Sequence, residues 1–160
     1  MEVFEKIKSL LDQHGIRYQT SHHEPTYTSE QASKIRGVAM ESGAKALVLR
    51  GSKTHTHYLC VIPANLKLDS KKAKAVIGEA VSFAQDPEAV TGCVPGSVPP
   101  FGSVVGLKTY CDPRLAKNDI INFNAGSLTD SIAMRYEDYI TVEKPTMVEI
   151  GKEYDKFSST

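Results

Sequence analysis

Residues 91–106, TGCVPGSVPPFGSVVG, hold four glycines and three prolines in sixteen positions, too many breakers for a regular helix or strand. A loop of fixed shape is predicted. Pro95, Pro99 and Pro100 set φ in advance, while Gly92, Gly96 and Gly102 permit close backbone approach or positive φ. Such a loop can aim several N–H groups at one point and so form an anion or oxyanion site without a charged side chain. The plain structural reading is a rigid connector between strands. No GK[ST] follows, as a Walker loop needs, and there is no GxGxxG turn.

Regular elements are expected on both sides. Val3, Phe4, Ile7, Leu10 and Leu11 recur at helical spacing before Gly15, which predicts a first helix of about 12 residues. Residues 16–21 read as a strand and 22–28 as a loop stiffened by Pro25. Thr28 or Ser29 can cap a second helix that runs to Arg36 and stops at Gly37. Residues 44–50 and 56–63 read as a largely buried β-hairpin, and Asp69 or Ser70 opens a third helix that ends near Gly78. Further strands are expected at 81–84, 107–111, 120–123 and 131–135, with a helical turn at 86–90, a helix at 136–142 and a loose FSST end. Hairpins mixed with crossovers predict a mixed α/β or α+β sheet domain rather than a regular doubly wound one.

At 160 residues, 41% hydrophobic and 24% charged, the chain suits one globular domain spanning 1–160 and excludes collagen-like, disordered and membrane classes. Nineteen basic and nineteen acidic residues leave no global field of the kind a general DNA or RNA coat protein carries. Three cysteines without CxxC spacing argue for reduced thiols over a disulfide framework or a cysteine-rich zinc site. The amphipathic, mixed-charge start resembles neither a secretion signal nor a transit peptide, so a cytoplasmic protein with no membrane partner is expected.

Several residues are chemical candidates. Lys45 enters an apolar strand, so its ammonium either turns to solvent at the strand end or faces a pocket. FNAGSLTDS (123–131) is a polar turn that can hold an amine or hydroxyl through Asn124 or Ser131, or serve as a plain hairpin turn. His55 and His57, with His22, His23 and Cys60, have a spacing that only weakly suits a metal, and SKTHTH reads as an exposed turn. Cys93 within the glycine-rich loop is a small loop filler, or a thiolate nucleophile if His23 is its base.

In order, HEPTYT (23–28), AKALVL (44–49), PANLKLDSKK (63–72), TGCVPGSVPPFG (91–102) and FNAGSLTDS (123–131) resemble the YbaK-type aminoacyl-tRNA deacylases. That family includes the editing domain of bacterial prolyl-tRNA synthetase and its free-standing relatives. The resemblance implies a single α/β domain with a mixed, strongly curved sheet flanked by helices. It implies a trans-editing hydrolase that cleaves the ester between a wrong amino acid and the terminal ribose of a tRNA, without metal or organic cofactor. A non-catalytic tRNA- or synthetase-binding module of the same fold is the competing reading. Lys45 aligns with the family's essential lysine, and Gly92, Pro95 and Gly96 with its GxxPG loop. His23, Pro25, Thr28, Phe101, Gly102, Asn124, Ala125, Gly126 and Ser131 are the implied substrate-binding positions. Relatives acting on alanyl-tRNA often carry Asn after the lysine, and those acting on cysteinyl-tRNA often Thr. This chain has Ala46, which leaves Ala, Ser, Thr and Cys open, with tRNA-Pro among the carriers.

The balanced charge is segregated along the chain. Residues 45–74 carry seven positive charges and one negative, whereas 75–107 carry no positive and three negative. Lys67, Lys71, Lys72 and Lys74 are therefore predicted to form a local patch for the few phosphates of a tRNA 3′ end, with a solvated helix face as the simpler reading. A synthetase partner stays open, and DNA is not expected.

Overall fold

A computed structural model describes residues 2–155; the FSST end lies outside them. Helix α1 (Val3–Gln13) turns Ile7 and Leu11 into the core, and the chain leaves it through Gly15 at φ 66°. Strand β1 (Tyr18–His22) follows. Helix α2 (Ser29–Arg36) is capped by Thr28, whose hydroxyl accepts from the Gln31 N–H, and ends on left-handed Gly37. Strands β2 (Ala44–Gly51) and β3 (His57–Pro63) form the expected antiparallel hairpin, then β4 (Lys67–Leu68) leads to α3 (Ser70–Ile77). Asp69 caps α3 by accepting from the Lys71 and Lys72 amides, and left-handed Gly78 stops it.

After β5 (Val81–Phe83) comes α4 (Pro87–Thr91), capped by Asp86 and stopped by Gly92. The proline-rich segment then runs to α5 (Gly102–Val105), a single helical turn where the sequence predicted no regular element. Gly102 permits this turn because its α-carbon packs on the Thr109 hydroxyl and the Leu107 carbonyl, where a β-carbon would collide. Strands β6 (Lys108–Cys111), β7 (Ile120–Asn124) and β8 (Asp130–Arg135), helix α6 (Tyr136–Glu143), and the two-residue strands β9 (Thr146–Met147) and β10 (Gly151–Lys152) complete the described chain. The sequence did not foresee β4, β9 or β10, since two residues show no periodicity. It also missed the 3-10 turns Met40–Ser42 and Pro113–Lys117.

The domain is mixed α+β, as expected, with open sheets. One has five strands in the order β5-β2-β3-β6-β9, parallel at β3–β6 and β6–β9 and antiparallel elsewhere. A second is antiparallel, in the order β1-β8-β7, and β10 pairs with β4 in a separate ribbon. The two larger sheets meet at a parallel bridge between Gly43 and Asn122.

Strand β3 lies at the centre and is buried on both faces, which explains its unbroken apolar run. Leu59 and Val61 join the main core with Ile7, Phe101, Phe123 and Tyr139, while Cys60 and Ile62 pack on the other face with Leu49, Leu66 and Ile150. No helix among the described residues is long and apolar enough to cross a membrane.

Candidate functional site

A cleft of about 230 Å³ opens where the two sheets meet. Its walls come from the entry and inner face of α2, the start of β2, the proline-rich loop and the end of β7. Lys45 lines it, so the pocket-facing alternative holds for this lysine. It is half-buried and its ammonium donates to the Leu66 carbonyl at 3.1 Å. Because that partner is a neutral carbonyl, the positive charge is left for a ligand.

Arg36 is the second cation on the lining, and the sequence reading passed over it. Its three guanidinium nitrogens donate to three neutral acceptors: Nε to the Ser131 hydroxyl at 3.0 Å, Nη1 to Asn122 Oδ1 at 2.8 Å and Nη2 to Asn124 Oδ1 at 2.6 Å. Burial draws its pKa down to about 10, which leaves it cationic at neutral pH. Among the described residues neither Lys45 nor Arg36 pairs with a carboxylate, and no acid lines the cleft. Two uncompensated cations around one cavity favour an electron-rich ligand.

Gly96 reaches the lining at φ 86°, in the left-handed region open to glycine. Asn124 Nδ2 donates to the Gly96 carbonyl at 2.7 Å, and the Gly126 N–H donates to the Ser97 carbonyl at 2.9 Å, so the turn after β7 holds the loop in place. The amides of Gly96 and Val98, both on the lining, meet no acceptor among the described residues. They are the N–H groups such a loop can offer to a developing oxyanion.

Of the other sequence candidates, Thr28 and Asn124 line the cleft, Thr28 doing so as the α2 cap. Ser131 is buried behind Arg36, and its hydroxyl also meets His23 Nε2 at 2.7 Å. His23 and Ser131 thus support the lining rather than form it. Gly92 ends α4, and Pro95 is exposed on the loop; neither is on the lining, nor is Pro25. Phe101 is core: its ring packs edge-on against Phe123 and Tyr139, with ring centroids 5.6 and 5.1 Å apart. Gly102 and Ala125 are also buried away from the cleft, and Gly126 packs on Val3.

The nucleophilic reading of Cys93 fails. Its side chain is buried, burial pushes its thiol pKa up, and both ring nitrogens of His23 are engaged elsewhere, Nδ1 with the Glu24 carbonyl. The four lysines of the basic segment lie outside the lining. Lys72 pairs with Glu149 at 3.0 Å, and Lys67 sits over the Tyr154 ring.

Asn122, Val98 and Thr26 are further lining residues that the sequence did not single out. The available signal was the pair Asn122 and Asn124, two amides at strand spacing in an otherwise apolar run, which marks one polar face of β7.

Residues 23–142 match the model of a family described as the aminoacyl-tRNA editing domain. The chain is 36% identical over 150 residues to the multifunctional Ser/Thr-tRNA deacylase ProXp-y of Escherichia coli K12, covering 90% of each chain. It is 26% identical over 151 residues to the prolyl-tRNA editing protein ProX of Acetoanaerobium sticklandii, covering 90% of this chain and 92% of that one. A crystal structure described as a candidate trans-editing enzyme for prolyl tRNA synthetase superposes with a TM-score of 0.82 at 20% identity, over 95% of this chain and 98% of the other.

Proposed function

The chain belongs to the aminoacyl-tRNA editing domain family, and from that premise we propose that its cleft is where a mischarged tRNA loses its amino acid. The protein is a trans-editing deacylase, a hydrolase acting on aminoacyl-tRNA. The observation that carries the assignment to this cleft is the pairing of an acid-free, doubly cationic lining with the open Gly96 and Val98 amides.

Ester hydrolysis needs an oriented water, a stabilised oxyanion and a seat for the tRNA end. Water attacks the ester carbonyl carbon, the carbon–oxygen bond to the ribose breaks, and the departing ribose oxygen takes the proton. Free amino acid and intact tRNA result. The Gly96 and Val98 amides receive the negative charge on the carbonyl oxygen as it develops. Lys45 holds the terminal phosphate or polarises the ester, and a vicinal ribose hydroxyl can relay the proton in place of a protein base. That division of labour needs no Ser–His–Asp set.

Small amino acids, Ala, Ser, Thr and Cys, are the substrates assigned to the cleft, since size alone separates them by only ~1–3 kcal/mol per methylene. Lys67, Lys71, Lys72 and Lys74 contact the acceptor end, and a synthetase supplies further tRNA recognition. A panel of tRNAs charged with these four amino acids, incubated with wild type and Lys45→Ala, tests the assignment. Wild type is expected to accelerate deacylation of at least one, and the variant to lose about 10²-fold or more. No acceleration of any, or full rate in Lys45→Ala, overturns it.

A further inference from the structure

Tyr27 has no part in the hydrolytic reading, yet it stands where the cleft opens. At 73% it is the most exposed large hydrophobic side chain among the described residues, and of those exposed it alone lines the cleft. Its ring meets no other aromatic ring and no cation there, and its phenol has no hydrogen-bond partner among the described residues. The backbone beneath it is fixed on both sides. The Tyr27 N–H donates to Gln31 Oε1 at 2.9 Å, the Thr26 N–H donates to the Leu128 carbonyl at 3.1 Å, and Thr28 caps α2. Scattered exposed apolar residues are ordinary on a surface; a ring held at the mouth of a cleft is a platform for whatever enters.

The size of the cleft says which part of a charged tRNA lies there. Its volume of about 230 Å³ is below the ~300–1,000 Å³ of pockets that enclose a whole small molecule. With the aminoacyl ester and its ribose inside, the base on that ribose stays at the mouth. Lys45 and Arg36 attract phosphate and ester oxygens, not the face of a base. A base face is matched by an aromatic ring, and the other ring on the lining, Phe123, is 1% exposed and therefore closed to it.

We propose that Tyr27 is a substrate-binding residue on which the terminal adenine of the charged tRNA stacks, anchoring the ribose so that its ester reaches the Gly96 and Val98 amides. This rests on the deacylase reading of the same cleft. Stacking needs the ring and not the phenol hydroxyl. It is made equally before and during bond cleavage, so it acts on KM rather than on kcat.

The test uses whichever of the Ala, Ser, Thr and Cys esters wild type removes fastest, on two forms of its tRNA: one intact, the other lacking the base of its terminal nucleotide. Wild type is expected to show a KM lower by about tenfold or more for the intact form. Tyr27→Leu, which keeps apolar bulk at an exposed position, is expected to raise KM on intact tRNA by that factor, with kcat within about twofold. On the baseless form it is expected to match wild type, and Tyr27→Phe is expected to match wild type on both. Equal wild-type KM values for the two forms overturn the proposal. An equal loss in Tyr27→Leu on both forms also overturns it and assigns the ring to another part of the substrate; an unchanged KM in that variant overturns it and leaves the ring to a protein partner. Turnover of none of the four esters removes the deacylase reading, and the affinities of wild type for the two uncharged tRNAs then decide the stacking contact, equal affinities overturning it.

Discussion

Arg36 donates to Asn124 Oδ1 at 2.6 Å while the amide nitrogen of that asparagine donates to the Gly96 carbonyl at 2.7 Å. The guanidinium thus sets which way the amide faces, and the amide in turn holds the loop glycine. Arg36→Lys offers one ammonium for three acceptors and cannot reproduce this. It is expected to lower deacylation kcat/KM by roughly 10- to 100-fold, as misplacement near reacting atoms does. Asn124→Ala is expected to act in the same direction, and the double variant to lose less than the product of the two, since both act through one chain of contacts. Single-turnover rates on a mischarged tRNA, with melting curves to confirm folding, measure this.

Cys93→Ala is expected to keep its deacylation rate and to lose about 1–2 kcal/mol of stability, as truncation of a small buried side chain does. Rate and urea midpoint, measured on the same preparation, separate the two effects.

Replacing Lys71 and Lys74, both exposed on α3, with alanine is expected to raise KM for charged tRNA several-fold and leave kcat within about twofold. The wild-type KM is expected to rise with salt more steeply than that of the double variant. Equal salt slopes assign these lysines to a solvated helix face.

Asp112 gives a pH prediction. Burial alone would raise its carboxyl, but the Arg114 guanidinium and the amides of Arg114, Gly151 and Ile150 outweigh that and bring its pKa down to about 2. Its folded value lies below the ordinary aspartate value of 3.8, so the stabilisation is present above pH 3.8 and is lost as pH falls through about 2. The shift corresponds to about 2 kcal/mol. Urea titrations from pH 5 to 2 are expected to show a steeper acid loss for wild type than for Asp112→Asn, which starts less stable at pH 7 by ~3 kcal/mol.

Where a local signal existed, the sequence was legible. Thr28, Asp69 and Asp86 cap helices, and Gly37, Gly78 and Gly92 end them, at positions the residue types announce. The lysine within an apolar strand stood out as a candidate, with solvent and a pocket both open to it, and it lines the cleft. Arg36 was not legible, because a basic residue in the last turn of a helix is ordinary there, and its three partners lie 86–95 residues further along the chain. Phe101 sits beside the loop in sequence yet points into the core, a choice made by Phe123 and Tyr139.

The bridge between Gly43 and Asn122 places the cleft on a boundary between two separately hydrogen-bonded sheets. A β-carbon at Gly43 would press on Ala64 and the Met40 carbonyl, so a side chain there forces the chain beside the bridge to shift. The backbone ladder of each sheet closes without the other, and side chains such as Asn122, which donates to the Ser42 hydroxyl, tie the walls together. An architecture of that kind lets a lineage retune which amino acid it removes through a few substitutions along one sheet, while the opposite wall and its lysine remain in service.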